Sequence, residues 1–128
     1  MRDIKFRFYD THFKKMFTTD EMNNYEVWDC MQDDRFKNMQ YTGLKDKNGV
    51  EIYEGDITKR FHFQCADGIN HYIYHTIKWS EKYNGWIALN LGSMSESDGS
   101  PQLFVYVKGD FEVIGNIYEN PELLGDLC

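Results

Sequence analysis

The chain has 128 residues, of which 41% are hydrophobic and 16% aromatic, and its formal net charge is −7. This length and composition predict one globular domain over residues 1–128 and exclude a disordered chain. The negative charge argues against nucleic acid as a partner, because phosphate backbones bind clustered Lys and Arg. No apolar run approaches the roughly 20 residues of a membrane-spanning helix, and the N-terminus has no signal-peptide pattern. We therefore expect a cytoplasmic protein without a membrane partner.

The first twenty residues predict a β-hairpin. Apolar and polar side chains alternate from Arg2 to Tyr9, which is the pattern of a strand with one buried face. The polar residues that follow interrupt this alternation, and a short return strand is predicted at residues 15–17. Two strands so close in sequence can only pair as an antiparallel hairpin.

A helix is predicted next, over residues 19–32. Thr18 and Glu21 have the spacing of a capping box, in which each side chain bonds the backbone of the other residue. Large apolar residues then recur at helical intervals: Met22, Tyr25, Trp28 and Met31. Such a stripe usually packs into the core, so we expect it to be buried. A partner-binding face is the alternative role of the stripe, and a strand around Trp28 is the alternative structure.

The central stretch, residues 40–57, reads QYTGLKDKNGVEIYEGDI. Asn48-Gly49 predicts a two-residue type I′ turn, which requires positive φ at both positions. The following strand ends at Gly55-Asp56, where glycine allows the backbone to bend into another strand, as at the corners of small barrels. The polar side chains of this stretch are candidates for a binding site, since binding residues collect on loops. A corner aspartate such as Asp56 often caps backbone N–H groups instead.

The remaining residues predict further hairpins and a short helix. Asp67-Gly68 and Asn84-Gly85 are hairpin turn signals, and residues 92–102 predict a mobile loop. The predicted strands are 57–65, 71–79, 86–91, 103–107 and 111–118. Gly115 inside the last strand predicts a bulge or a close backbone approach, and Asn120-Pro121 starts a final helix. The whole pattern predicts a mainly β fold (β-rich α+β), a small, partly open barrel of antiparallel hairpins with one or two short helices.

The sequence contains no catalytic or metal-binding motif of known spacing. His71 and His75 share one face of a strand but lie about 13 Å apart along it, too far to bind one metal ion. The three cysteines, Cys30, Cys65 and Cys128, form no C-x-x-C pair and are expected to be reduced thiols. We therefore predict no catalytic residue, no metal site and no cofactor, and a protein that is not an enzyme.

Three blocks of the sequence resemble the YopX family, small proteins found mainly in phages and prophages of Gram-positive bacteria. The blocks are MRDIKFRFYD at residues 1–10, QYTGLKDKNGVEIYEGDI at residues 40–57 and FEVIGNIYENPELL at residues 111–124. They span almost the whole chain in the right order. The resemblance implies a mostly β, partly open barrel and a phage-borne origin. It implies no agreed activity and no catalytic residues.

The first functional hypothesis is a phage or prophage accessory protein that binds another protein of the host or phage, including as an inhibitor of host machinery or defence. Residues 65–128 contain 3 basic and 9 acidic residues, so this half could attract a basic partner surface. The candidate partner-binding residues are Lys45, Asp46, Lys47, Glu54, Asp56, Glu96 and Asp98.

Two alternatives belong to other functional classes. A nucleic-acid-binding small β-barrel would use aromatic side chains for stacking and a basic strip, made of Lys45, Lys47, Lys59 and Arg60. An enzyme acting on a small molecule or nucleotide is the second alternative. A homo-oligomer is compatible with each hypothesis, because exposed barrel edges can pair between subunits.

Overall fold

The computed structural model describes residues 4–19, 23–91 and 111–126, and these form two antiparallel sheets and two short helices. The strands are β1 (Phe6–Asp10), β2 (Lys15–Thr18), β3 (Phe36–Lys45), β4 (Glu51–Tyr53), β5 (Asp56–Gln64), β6 (Asn70–Ser80), β7 (Gly85–Asn90) and β8 (Glu112–Asn116). The helices are α1 (Asn24–Gln32) and α2 (Glu122–Asp126). The predicted loop at 92–102 and the predicted strand at 103–107 lie outside the described residues.

The first sheet has the strand order β2-β1-β3-β4, and its hairpin β1–β2 is the one that the alternation predicted. Phe8 of β1 is fully buried. Asp10, the last residue of β1, accepts hydrogen bonds from the backbone N–H groups of His12 and Phe13 at 2.9 and 3.1 Å. The Arg35 guanidinium binds both oxygens of the same carboxylate at 2.8 and 2.6 Å and holds the pKa of Asp10 well below its usual range.

The second sheet has the order β7-β6-β5-β8 and curls into a half-barrel. Its long hairpin β5–β6 pairs from Ile57 opposite Thr76 to Gln64 opposite Asn70. A buried cluster at the centre joins residues of both sheets: Ile52, Ile77, Ala88 and Phe111. The predicted mainly β fold with a partly open barrel and short helices is therefore confirmed.

Hairpins form around Asp67-Gly68 and Asn84-Gly85 as predicted, but the turn at Asn48-Gly49 differs in type from the prediction. Gly49 and Gly68 have positive φ, at 81° and 89°, but Asn48 and Asp67 do not. In the first turn the Gly49 N–H donates to the Asp46 carbonyl at 3.0 Å. This is a type I turn closed by a left-handed glycine, so the type I′ prediction at Asn48-Gly49 is wrong. The reason is the Asp46 side chain, which bonds the N–H groups of the turn and favours the type I geometry.

The helix is shorter than predicted and has a different cap. Asn23 is the N-cap, its side chain accepts from the Glu26 N–H at 2.9 Å, and Glu26 in turn accepts from the Asn23 N–H at 3.1 Å. Thr18, the predicted cap, is instead the last residue of β2, and its predicted partner Glu21 lies outside the described residues. The alternative strand around Trp28 is also wrong. Within the described part of the chain, neither helix is long and apolar enough to cross a membrane.

The two sheets meet at Gly55, between β4 and β5. Its φ of +84° is a conformation that side-chain-bearing residues rarely adopt. The Gly55 N–H donates to the Ile77 carbonyl at 2.8 Å, and its carbonyl accepts from the Ile117 N–H at 3.0 Å. The chain therefore leaves the first sheet and enters the second at this residue, which confirms the predicted corner.

Gly115 also occupies the kind of position that the sequence predicted. A Cβ atom there would lie 2.6 Å from the Asn120 side-chain oxygen, which is closer than any real contact. That oxygen accepts a hydrogen bond from the Asn116 N–H at 3.2 Å, so the Asn120 side chain points back to β8. The glycine is thus needed for the close approach of the segment that leads into α2.

Candidate functional site

Asp56, one of the predicted site residues, lies inside the protein with 1% of its surface exposed. One carboxylate oxygen accepts from the Tyr53 N–H at 2.8 Å, and the other pairs with the Arg7 guanidinium of β1. Burial raises the pKa of Asp56, and the nearby Arg7 charge only partly offsets this effect. The predicted alternative role of Asp56, capping of backbone N–H groups at the corner, is therefore confirmed.

Asp46 is buried at the tip of the β3–β4 hairpin and has a similar role. One of its oxygens accepts from the N–H groups of Asn48 and Val50 at 2.8 and 2.9 Å. Its other oxygen accepts from the Val113 N–H of β8 at 2.9 Å. A single carboxylate thus holds the turn in shape and ties the first sheet to the second.

The other predicted partner-binding residues do not gather in one place. Lys45 is exposed at the end of β3, and Glu54 is half-buried beside Gly55. Lys47 lies 3.8 Å from the Glu112 carboxylate. Glu96 and Asp98 lie outside the described residues. The role of the seven predicted residues in partner binding remains a prediction. The carboxylates of Asp46 and Asp56 accept hydrogen bonds from the protein's own groups.

An acidic residue partly neutralises the basic strip that the nucleic-acid alternative predicted, Lys45, Lys47, Lys59 and Arg60. The ammonium groups of Lys47 and Lys59 lie 3.8 and 3.7 Å from the same Glu112 carboxylate. Arg60 follows Lys59 on β5, so its side chain points to the opposite face of the sheet. The structure therefore does not assemble these residues into one continuous basic surface.

The outer side of α1 exposes the large apolar residues that the sequence predicted to be buried. Tyr25 is 84% exposed, Trp28 65% and Met31 44%, and Met22, the first residue of the predicted stripe, lies outside the described residues. The prediction of a core stripe is wrong, because α1 instead turns Cys30 toward the protein, where it is buried. Residues three apart lie on the same side of a helix, so the three exposed side chains form one continuous surface.

Acidic residues are also exposed along this helix: Glu26 and Asp29 in α1 and Asp33 directly after it. Burial, followed by the charges of Asp29, Asp33 and Glu26, raises the pKa of the Cys30 thiol. The last turn of α1 has no basic residue. Arg35, the nearest arginine along the chain, is already paired with Asp10, as described above. We call Tyr25, Glu26, Trp28, Asp29 and Met31 together the α1 face.

The histidines and cysteines that the structure describes do not gather into a metal site. His71 stacks on Phe63 with ring centroids 4.6 Å apart, and its Nε2 lies 3.1 Å from the Cys65 sulfur at the exposed end of the β5–β6 hairpin. His75 is buried against Phe111, with ring centroids 5.4 Å apart. No group of three or more His, Cys, Asp or Glu could hold a metal ion in the part of the chain that the structure describes.

The comparisons with known proteins agree with the sequence resemblance. The family model described as YopX protein matches residues 5–125. The structure is similar to the crystal structure of protein EF1440 from Enterococcus faecalis, with 27% sequence identity and a TM-score of 0.59. That match covers 97% of this chain and 99% of the other. No curated protein matches the chain in sequence.

Proposed function

Because the chain belongs to the YopX family, we propose that it is a phage-type accessory protein that binds another protein through the α1 face in the host cytoplasm. The observation that supports this function is the exposure of Tyr25, Trp28 and Met31 on one side of a short helix. Contiguous exposed apolar surface of this kind is typical of interaction sites, because its burial against a partner releases water.

The partner's surface follows from the chemistry of the α1 face. Tyr and Trp are the residue types that most often dominate binding energy, since each fills a pocket and also offers a hydrogen-bond donor. The same helix exposes two acidic residues, Glu26 and Asp29. The complementary surface is therefore an apolar groove bordered by Lys or Arg, and the opposite charges would speed association.

The nucleic-acid alternative has one observation in its favour. Phe61 and Tyr72 pack edge to face on the outer side of the β5–β6 hairpin, and the Lys59 ammonium lies 4.6 Å from the centre of the Tyr72 ring. Bases could stack there. However, Glu112 lies beside the same lysine and opposes a phosphate. A mobility-shift titration with single-stranded DNA and RNA at low salt tests this alternative, for which we expect no shift.

The proposed function is tested by affinity capture from host lysate with wild-type protein and with two matched Trp→Ala variants. Trp28→Ala removes the centre of the α1 face, and Trp79→Ala removes a 40%-exposed tryptophan of β6. We expect wild type and Trp79→Ala to retain the same partner and Trp28→Ala to lose it. With purified partner, Trp28→Ala should raise Kd about 30-fold, the result of losing about 2 kcal/mol.

The charge part of the proposal has its own variant. Asp29→Lys should weaken binding of the partner and should make the remaining affinity less sensitive to salt, because it reverses an exposed charge at the interface. Equal capture by wild type and Trp28→Ala, or no enriched protein under several growth conditions, would contradict the proposed function.

A further inference from the structure

A cleft of about 450 Å³ opens where β3, β6, β7 and the segment around α2 meet. Its walls are mainly apolar and include Met39, Ile77, Trp79, Leu89, Ile117 and Leu124. This volume is within the range of small-molecule sites in proteins, which are concave and apolar with a few polar groups. The cleft shares no residue with the α1 face.

The carboxylate of Glu54 is the acidic group of the cleft. It is half-buried, and burial raises the pKa of Glu54 above its usual range. No Lys or Arg forms an ion pair with Glu54 among residues 4–19, 23–91 and 111–126. A carboxylate that has lost water and has gained no cation is stabilised by any cation that enters the cleft.

Two aromatic rings line the same space. Trp79 and Tyr118 both belong to the wall of the cleft. Tyr118 is half-buried, and burial together with the charge of Glu54 raises the pKa of its phenol. The faces of such rings attract ammonium and guanidinium groups. The lining of the cleft therefore includes a carboxylate and two aromatic side chains.

Lys78 is the positively charged residue that lines the cleft, so its charge must be compared with that of Glu54. It is exposed, and it already takes part in an interaction of its own. Lys82 lies at a neighbouring depression that Glu54, Lys78, Trp79 and Glu81 also line, so two lysines and two glutamates balance each other there. Glu54, which is half-buried, is the more desolvated charge and dominates the interior of the cleft.

We propose that this cleft binds a small organic cation, an ammonium or guanidinium group attached to an apolar chain. The head group pairs with Glu54 and contacts the rings of Trp79 and Tyr118. The apolar chain lies against aliphatic side chains of the cleft lining, including Ile117 and Leu124. This inference goes beyond protein binding by the α1 face and does not depend on it.

The test compares three ligands of equal chain length that differ only in the head group: n-hexylammonium, n-hexanol and n-hexanoate. Binding is followed by NMR through the methyl signals of Leu89, Ile117 and Leu124, which line the cleft. We expect n-hexylammonium to bind at least about fivefold more tightly than n-hexanol, because its head group forms one partly screened ion pair with Glu54. We expect n-hexanoate to bind more weakly than either.

Two variants locate the source of this preference. Glu54→Gln keeps the shape of the side chain but removes the charge, so it should bind n-hexylammonium and n-hexanol equally. Glu81→Gln removes an exposed carboxylate that does not line the cleft and should keep the wild-type preference. A melting curve for each variant shows that it is folded.

Several results would overturn the inference. These are equal binding of the three ligands to wild type, a preference for n-hexanoate, no shift of the cleft methyl signals with any ligand, or an ammonium preference that persists in Glu54→Gln. None of these results bears on capture by the α1 face, since Trp28 does not line the cleft. Loss of partner capture in Trp28→Ala likewise leaves the ligand titration unchanged.

Discussion

The corner at Asp56 and the α1 face use the same chemical group in opposite ways. At the corner the Asp56 carboxylate is buried, accepts a hydrogen bond from a backbone N–H and forms an ion pair with an arginine. On α1 the carboxylate of Asp29 is exposed and accepts no hydrogen bond from the described residues. Two aspartates that look alike in the sequence are therefore a structural element in one region and part of a surface in the other.

The difference follows from the backbone around each residue. Turns and corners leave N–H groups without a partner in a sheet, and a nearby aspartate satisfies them. In the interior of a helix each N–H already donates to the carbonyl four residues earlier. An acid on the outer face of α1 thus finds no backbone donor, and its charge is directed to the solvent or to a partner. The availability of backbone donors distinguishes the two roles.

The largest effect is expected from Asp56→Ala, which breaks a buried ion pair and leaves the Arg7 charge without its partner. The free energy of unfolding should fall by about 3–5 kcal/mol. Asp29→Ala, the matched change on α1, should alter it by no more than about 0.5 kcal/mol. Urea denaturation of both variants measures the two values. Similar losses of stability in the two variants would contradict the distinction between a structural aspartate at the corner and a surface aspartate on α1.

A smaller effect is expected at Asp46, which accepts from three backbone N–H groups and has no ion pair among the described residues. Asp46→Ala should lower the free energy of unfolding by about 2 kcal/mol, because buried donors lose their acceptor. Asp46→Asn keeps one acceptor oxygen and should lose less. If Asn costs as much as Ala in the same urea experiment, the negative charge rather than the hydrogen bonding stabilises the turn.

The effect that is smallest at neutral pH, and grows on acidification, concerns His75, a buried group without a hydrogen-bond partner on either ring nitrogen in the described structure. Burial, together with the charge of Arg60, lowers the pKa of His75 to about 4 from an ordinary value of 6.5. The unfolded chain therefore takes up a proton before the folded one does. Stability is fully present above the ordinary pKa and is lost as the pH falls from 6.5 toward 4.

Melting curves across this pH range provide the measurement. The melting temperature of wild type should fall on acidification, and His75→Leu should remove most of this dependence. His71→Leu is the control, since its ring is exposed at the end of the β5–β6 hairpin. If the melting temperature of His75→Leu depends on pH as that of wild type does, other groups cause the loss of stability on acidification.

Much of the fold was predictable because its signals are local. A glycine followed by an aspartate at residues 55–56 indicated a corner, and the structure has one with φ at +84°. The cap of α1 was missed although Asn23 and Glu26 also have capping-box spacing. Thr18 and Asn23 are both candidate N-caps, and the local sequence does not show which of them starts the helix. The choice depends on where β2 ends, and pairing with β1 extends that strand to Thr18.

The candidate sites were less predictable. The spacing of Tyr25, Trp28 and Met31 indicated a helical face correctly, but the face was assigned to the core. The cleft had no signal at all, because its walls come from segments that are separate in the chain and only Glu54 had been selected from it. The YopX resemblance was predicted from three blocks and is confirmed by the match to residues 5–125.

By itself the sequence determined the family, the strand-rich fold and the positions of the corners, since turns, alternation and glycine conformations depend on residues that are close in the chain. The tertiary structure alone decided which carboxylates are buried, which side of α1 is covered and where a cleft opens. Those outcomes depend on which segments pack together, and a side chain is exposed or buried only relative to neighbours that the local pattern does not specify.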